Sequence, residues 1–270
     1  MTLKILPINR RQITLSFSTP VDTFPAHPKL DEHELLLAQM QFADFRSANL
    51  FRMLTHQVRP GTVLDVGCGG GGMVAWLVEH GHDARGIDLN ADTVAAARRF
   101  LASHGRDPMR VSCGSPAEII ATGLTLDNVI SMDTLEHNED DHLTFAQLVE
   151  LTRPGGRLIV TVPAFMALFG PRDRDMGHFR RYSRESLCEL AARHDIRIDD
   201  LRYWNLIGVA PAFVTARLVR CRIDESFRYG GDSLAKRLTR NTLSTWFRSV
   251  ENRIRPPLGL TLILTATRLG

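Results

Sequence analysis

The residues of this chain that could do chemistry fall in three groups. The first is Val63-Leu-Asp-Val-Gly-Cys-Gly-Gly-Gly-Gly72, where a carboxylate, Asp65, stands two residues before a run of glycines. Glycine has no Cβ, so a ligand can lie directly against the main chain there. Gly67, Gly69 and Gly72 fit the dinucleotide spacing G-x-G-x-x-G, and Gly67, Gly69 and Gly71 equally fit the tighter G-x-G-x-G. Asp65 separates the two ligands these spacings allow. A carboxylate so close to the turn repels a pyrophosphate and suits a ligand carrying an ammonium and a sulfonium. The second group is Asp88 with Leu89. Asp88 lies 21 residues after Gly67, the distance expected for an acid at the tip of the next strand, where it can accept both hydroxyl hydrogens of a ribose. Leu89 would give the adenine an apolar wall. The third group joins His137 to Gly177-His-Phe-Arg-Arg-Tyr182. His137 and His178 are candidate general bases, since imidazole ordinarily titrates close to neutrality. Tyr182 could orient an acceptor, and Arg180 and Arg181 could hold a carboxylate or phosphate. The competing reading is a structural clasp, with the arginines paired to Asp133, Glu136 or Asp173.

The elements that must hold these groups follow from periodicity. Val63, Leu64 and Val66 make an apolar run suited to a buried parallel strand, and Met73–His80 continues as a helix closed by Gly81. Ala84–Leu89 reads as a second strand, Ala91–His104 as a helix ending at Gly105, Met109–Cys113 as a third strand and Asp127–Met132 as a fourth. Asn138–Asp141 opens a helix whose acids suit the positive end of the helix dipole. Arg157–Pro163 is a fifth, buried strand. Ser183 is the expected N-cap of a helix through Arg193, Asp195–Trp204 a sixth strand, and Gly259–Arg268 the last. Strand, glycine turn and helix together place the ligand at the carboxyl end of a strand in an open α/β sheet.

Asp65-Val-Gly-Cys-Gly69 resembles motif I of the class I S-adenosylmethionine (SAM) dependent methyltransferases. Met132 with Asp133-Thr-Leu-Glu-His137 resembles the segment after the fourth strand in small-molecule methyltransferases of the ubiquinone and menaquinone type. Arg153-Pro-Gly-Gly156 and the strand after it are similar to the turn-plus-strand frequent in the same class. The three matches stand in order and cover Arg59–Pro163. Gly177–Tyr182 is similar to the Gly-His-x-Arg-Arg-Tyr segment of a bacterial subgroup of these enzymes. The resemblance implies a Rossmann-like seven-stranded mixed sheet with an N-terminal helical cap and a C-terminal helical insertion. It implies SAM as methyl donor, with S-adenosylhomocysteine as product. The donor would be bound by Asp65, Gly67, Cys68, Gly69, Gly71, Asp88, Leu89 and Met132. Ser115 stands where the family often has an acid on the adenine amino group, and its hydroxyl is expected to hydrogen-bond the adenine in that acid's place. The segment 133–137 would pass beside the transferred methyl, and helices before residue 58 would lie over the donor pocket.

The expected organisation is an N-terminal arm over 1–30, a helical cap over 31–58 and the α/β core over 59–205, whose loop 164–182 borders the active site. A helical insertion or lid over 206–258 and the last strand over 259–270 complete it. The expected function is transfer of a methyl group to oxygen or nitrogen, less readily carbon, of a small-molecule or amphipathic metabolite. Three rivals stay open: a NAD-dependent oxidoreductase, a nucleic-acid methyltransferase and a SAM-binding protein that does not methylate. Asp65 and Arg153–Gly156 argue against the first. Against the second, the Asp/Asn-Pro-Pro-aromatic signature of exocyclic-amine methylation and a Pro-Cys nucleophile are both missing. A net charge of +3 is too mild to demand nucleic acid, and none is expected as partner. The arginine-bearing stretch 233–255 could serve instead as a homodimer face or a peripheral membrane contact. Cys68, Cys113, Cys188 and Cys221 show no C-x-x-C pair, so reduced thiols in a cytoplasmic protein are expected and no metal ligands. No apolar run approaches the ~18 residues of a transmembrane helix, and no signal-peptide core stands near residue 1.

Overall fold

A computed structural model describes residues 44–214 and 234–270, together with the short antiparallel pair Leu3–Lys4 and Ser16–Phe17. The rest of the expected arm, the cap residues before Asp44 and insertion residues 215–233 lie outside the described residues.

Seven strands form one mixed sheet: β1 (Thr62–Val66), β2 (Asp83–Asp88), β3 (Val111–Cys113), β4 (Leu126–Met132), β5 (Thr152–Pro163), β6 (Ile196–Trp204) and β7 (Thr261–Arg268). Their spatial order is β3-β2-β1-β4-β5-β7-β6. β1 to β5 run parallel, and β7 inserts antiparallel between β5 and β6. Pro163 and Trp204 both face Thr261, so β5 and β6 end at the same edge. The order reverses beside β1, the place where an open α/β sheet forms its ligand crevice.

Helices cover both faces: α1 (Phe45–Thr55), α2 (Gly72–Glu79), α3 (Ala91–Ser103), α4 (Pro116–Ile120), α5 (Asp141–Leu151), α6 (Pro171–Asp175), α7 (Arg184–Ala191), α8 (Val209–Phe213) and α9 (Leu234–Trp246). Local chemistry sets their starts. Asn90 caps α3 by accepting from the amides of Asp92 and Thr93, Asp140 caps α5 through Leu143, and Ser183 caps α7 through Ser186. The central strands are buried on both faces, which is why they read as near-continuous apolar runs. One core packs Leu64, Val129, Leu158 and Leu264 against α5 and α7. The other packs Val63, Ile130, Ile159 and Ile263 against α1, α2 and α3.

Three strand boundaries differ by two residues or more from the sequence expectation. The third strand is shorter, because Pro108–Arg110 takes a tight helical turn before Val111. Arg153–Gly156 is a bulge within β5 opposite Asp127, since the register moves from Leu126↔Thr152 to Asn128↔Arg157. Gly155 is left-handed in it, at φ 72°, and Asp127 Oδ1 accepts from Arg153 Nε. β7 begins at Thr261, after Gly259, where a Cβ would meet the Trp204 backbone at 2.3 Å.

The described part of the insertion is anchored to α1 and to the end of β6. A wide π-type turn, Phe247–Glu251, follows α9. Phe247 packs on Trp204 and Phe45, with ring centres 4.8 and 6.0 Å away. Asn49 Nδ2 donates to Ser244 Oγ at 3.2 Å, and Asn252 Nδ2 donates to Asn49 O at 3.0 Å. Glu251, fully buried, accepts from the Leu206 amide at 2.9 Å and from Trp246 Nε1 at 3.1 Å. No described helix is long and apolar enough to cross a membrane.

Candidate active site

The turn after β1 places Gly67, Gly69 and Gly71 at φ 74°, 50° and 77°. All three are in the left-handed region that disfavours side chains, whereas Gly72 begins α2 with ordinary geometry. The backbone therefore uses the tighter of the two spacings. A Cβ on Gly67 would lie 2.5 Å from Thr134 Oγ1, whereas one on Gly69 would meet nothing within 4 Å. Gly67 is bare because Thr134, in the segment after β4, packs against it; Gly69 faces open space, where a ligand can approach. Gly86, on β2, was not singled out from sequence. Its missing Cβ makes room for Cys68, which would stand 2.7 Å away.

Two carboxylates flank this turn. Asp88 Oδ2 accepts from the Gly69 amide at 3.0 Å and Oδ1 from the Asn90 amide at 3.0 Å. Each oxygen keeps a lone pair for a further donor. Asp65 is 2% exposed, and its Oδ1 has no hydrogen-bond partner. Burial, with a smaller push from the charge on Asp88, raises its carboxyl from 3.8 to about 7. A buried carboxylate with nothing to bond is the counterpart of a cationic ligand group. Cys68 is buried beside it, and burial followed by the two carboxylates pushes its thiol well up, so it is a wall and not a nucleophile. Leu89 is 71% exposed beside Asp88, open to an adenine face. Met132 is half-buried at the end of β4. Ser115 caps α4: its hydroxyl accepts from the Glu118 amide at 3.3 Å and donates to Glu118 Oε2 at 3.2 Å.

Beyond β4 and β5 lies the third group, and here the structure selects the clasp. Arg181 Nε bonds Asp173 Oδ1 at 2.7 Å, and Arg180 Nη1 bonds Asp141 Oδ1 at 2.7 Å. Tyr182 is 3% exposed and its hydroxyl donates to Asp141 Oδ2 at 2.8 Å. Burial, then that bond, pushes the phenol up. Arg180 and Arg181 thus spend their charge on internal carboxylates instead of an acceptor's anion, and Tyr182 is fastened away from solvent. Of the three carboxylates expected to hold the arginines, Asp173 is used; Asp141 is the partner missed, because its place on α5 cannot be read from spacing.

Asp173 also accepts from the Gly170 amide at 2.9 Å and bonds His178 Nδ1 at 3.1 Å. Burial would raise its carboxyl, but the Arg181 and Gly170 bonds outweigh that and hold it below the usual carboxylate range. The clasp brings His178 to His137, edge to face, with ring centres 4.6 Å apart. Burial, then His178, lowers His137, leaving a neutral imidazole at pH 7. Glu136, fully buried beneath them, has neither carboxylate oxygen bonded. Burial, then Asp133, raises its carboxyl well above the ordinary value.

Sequence reasoning also missed where the backbone is strained. Among the described residues the non-glycine positions with positive φ are Asp133 (49°), Phe165 (64°) and Asn205 (68°). They follow the ends of β4, β5 and β6, so the strain gathers along the carboxyl edge that carries the turn.

An open sheet of this order, a bare turn after β1 and an acid at the tip of β2 define a class I SAM-dependent methyltransferase domain. The chain belongs to the methyltransferase-domain family, whose model matches residues 37–201. It is similar to a ubiquinone biosynthesis O-methyltransferase of Pectobacterium atrosepticum, 32% identical over 36% of this chain and 40% of that one. It is also similar to the ribosomal RNA small subunit methyltransferase C of Alcanivorax borkumensis, 36% identical over 30% of this chain and 21% of that one. The chain thus spans less than half the length of these curated relatives. A solved geranyl diphosphate methyltransferase in complex with SAM shares the fold, with a TM-score of 0.53 and 15% identity over 83% of this chain and 86% of that one.

Proposed function

We propose that this chain transfers the methyl group of SAM to an oxygen or nitrogen of a small or amphipathic metabolite, in the cytoplasm and as a bacterial enzyme of the subgroup carrying the Gly177–Tyr182 segment. The observation that carries the donor assignment is Asp65: buried, with Oδ1 unbonded, beside a bare main-chain turn. Its carboxylate holds the ammonium of the methionine moiety. Asp88, already oriented by two amides, holds the ribose hydroxyls. Leu89 covers the adenine.

Transfer is an in-line displacement. The acceptor's lone pair forms the new bond to the methyl carbon as the carbon–sulfur bond breaks, and that electron pair stays on sulfur as a neutral thioether. A hydroxyl or amine acceptor gives up a proton. Charge disappears from sulfur along this path, so placement and exclusion of water supply most of the acceleration. The candidates to take that proton are His137, which is exposed, and then His178, which packs edge to face against it with Nε2 buried.

An apolar acceptor body is supported by Met166, Met176 and Phe179, which are 54%, 50% and 51% exposed on the loop after β5. The similarity to an O-methyltransferase of ubiquinone biosynthesis supports the same class. Described Cys68, Cys113 and Cys188 are free thiols, consistent with a reducing compartment. Calorimetry with S-adenosylhomocysteine and with NADH tests the donor: binding of the first alone is expected, and binding of NADH alone overturns the reading. A panel of phenolic, carboxylic and isoprenoid acceptors with labelled SAM then tests the acceptor, with RNA as the arm that would overturn a small-molecule role.

A further inference from the structure

Glu136 is fully buried with both carboxylate oxygens unbonded, and its charged neighbours are Asp133, Arg181 and Asp173. His178 repeats it, since its side chain is 7% exposed and its Nε2 is buried without a partner. Three donors meet here, because Glu136, His137 and His178 each offer a ligand atom and all three atoms lie within 4.8 Å of one another. No other trio of His, Cys, Asp or Glu donors gathers so closely among the described residues.

We propose that Glu136, His137 and His178 bind a divalent transition-metal ion of the zinc type, at the carboxyl edge of the sheet beside the methyl-donor site. Two imidazoles and one carboxylate favour zinc and its transition-metal neighbours over magnesium or calcium. The outer support is already built. Asp173 accepts the Nδ1 proton of His178 at 3.1 Å, which fixes the tautomer with the Nε2 lone pair free and turned inward. Arg181 and the Gly170 amide hold Asp173 in turn. The Phe179 amide donates to Glu136 O at 2.7 Å, pinning the His178 segment over Glu136. Ligand atoms around a tetrahedral zinc stand about 3.3 Å apart, so the side chains close by at most about 1.5 Å on binding. His137 is exposed, which gives the ion an entry path and leaves a coordination position toward solvent, the side from which an acceptor arrives. The sequence showed no metal motif because Glu136–His137 and His178 lie on separate loops, brought together by the clasp. Coordination gives the two imidazoles work other than proton uptake.

The inference rests on the methyl-donor reading for its setting alone. The test uses the full chain after treatment with a chelator, titrated with Zn2+ against a chromophoric competitor, with Co2+ as spectroscopic probe. One equivalent of Zn2+ is expected, no comparable binding of Mg2+, and a Co2+ spectrum of low coordination number. Glu136→Gln and His178→Ala should each weaken Zn2+ by more than about 100-fold, and Asp173→Asn by about 10–100-fold. S-adenosylhomocysteine affinity should stay within about threefold in the same variants. If His178→Ala does not fold, exposed His137→Asn takes its place with the same expected loss. Absence of stoichiometric Zn2+ binding by the wild-type chain overturns the site and leaves Glu136 to a proton or a water. Zn2+ binding that survives Glu136→Gln and His137→Asn also overturns it. Wild-type Zn2+ binding without any S-adenosylhomocysteine binding overturns the donor reading and leaves the metal site standing.

Discussion

Asp88 reaches across the glycine turn to Gly69, accepting the Gly69 amide proton at 3.0 Å. One carboxylate thus fixes the loop and presents itself to the ribose. Replacing Asp88 with Ala should weaken S-adenosylhomocysteine by at least about 1–3 kcal/mol, since the hydroxyls lose a charged acceptor and the loop loses a tether. Calorimetry measures it, and an unchanged affinity would refute the assignment.

Asp65 predicts a pH dependence with opposite signs for the empty and the liganded chain. In the folded chain its carboxyl titrates at about 7, against an ordinary value of 3.8. The folded state therefore holds the proton more tightly. The stabilisation from this group is complete below pH 3.8 and is lost as pH rises through about 7, by as much as about 4 kcal/mol. A cationic ligand needs the ionised form, so S-adenosylhomocysteine should bind about tenfold more tightly at pH 8 than at pH 6. Asp65→Asn should flatten both profiles, raise the melting temperature of the empty chain at pH 8 and weaken the ligand. Profiles that keep their slopes in this variant would assign the titration to another group.

Gly67 and Gly69 separate folding from binding. Gly67→Ala drives a methyl into Thr134 at a left-handed position, and the chain should lose stability. Gly69→Ala faces open space, so the cost should be the backbone term alone, about 1–2 kcal/mol, with S-adenosylhomocysteine binding lost. Thermal melts with and without the ligand distinguish the two variants. Equal loss of stability in both would mean that Gly69 is bare for a structural reason.

Tyr182→Phe removes the hydroxyl that Asp141 accepts at 2.8 Å. The expected loss is about 1.5–3 kcal/mol of stability, measured by urea unfolding, with S-adenosylhomocysteine affinity unchanged. A folded, equally stable variant with collapsed turnover would return Tyr182 to the acceptor.

The strands were legible because a parallel sheet covered on both faces needs continuous apolar runs such as Leu158, Ile159 and Val160, and the turn because glycine alone tolerates three left-handed positions so close together. Asp65 and Asp88 were legible through their distance from that turn. The clasp partners were not. Which acid meets Arg180 depends on how α5 lies over β4 and β5, and Asp141 looks in sequence like one more helix-start acid. Glu136 was read only as a candidate arginine partner for a related reason: its neighbour His137 carries the familiar chemistry, and full burial of a glutamate is a tertiary fact. Phe165 at φ 64° has no sequence signal at all, because phenylalanine does not favour that region.

The antiparallel β7 sits between β5 and β6, although it is synthesised after both. During translation the backbone of β5 on that side, and both sides of β6, wait without hydrogen-bond partners. A nascent chain halted before Thr261 exposes strand borders ready to pair with a stranger. Chaperone demand should therefore peak just before β7 emerges from the ribosome, well after the glycine turn has been made.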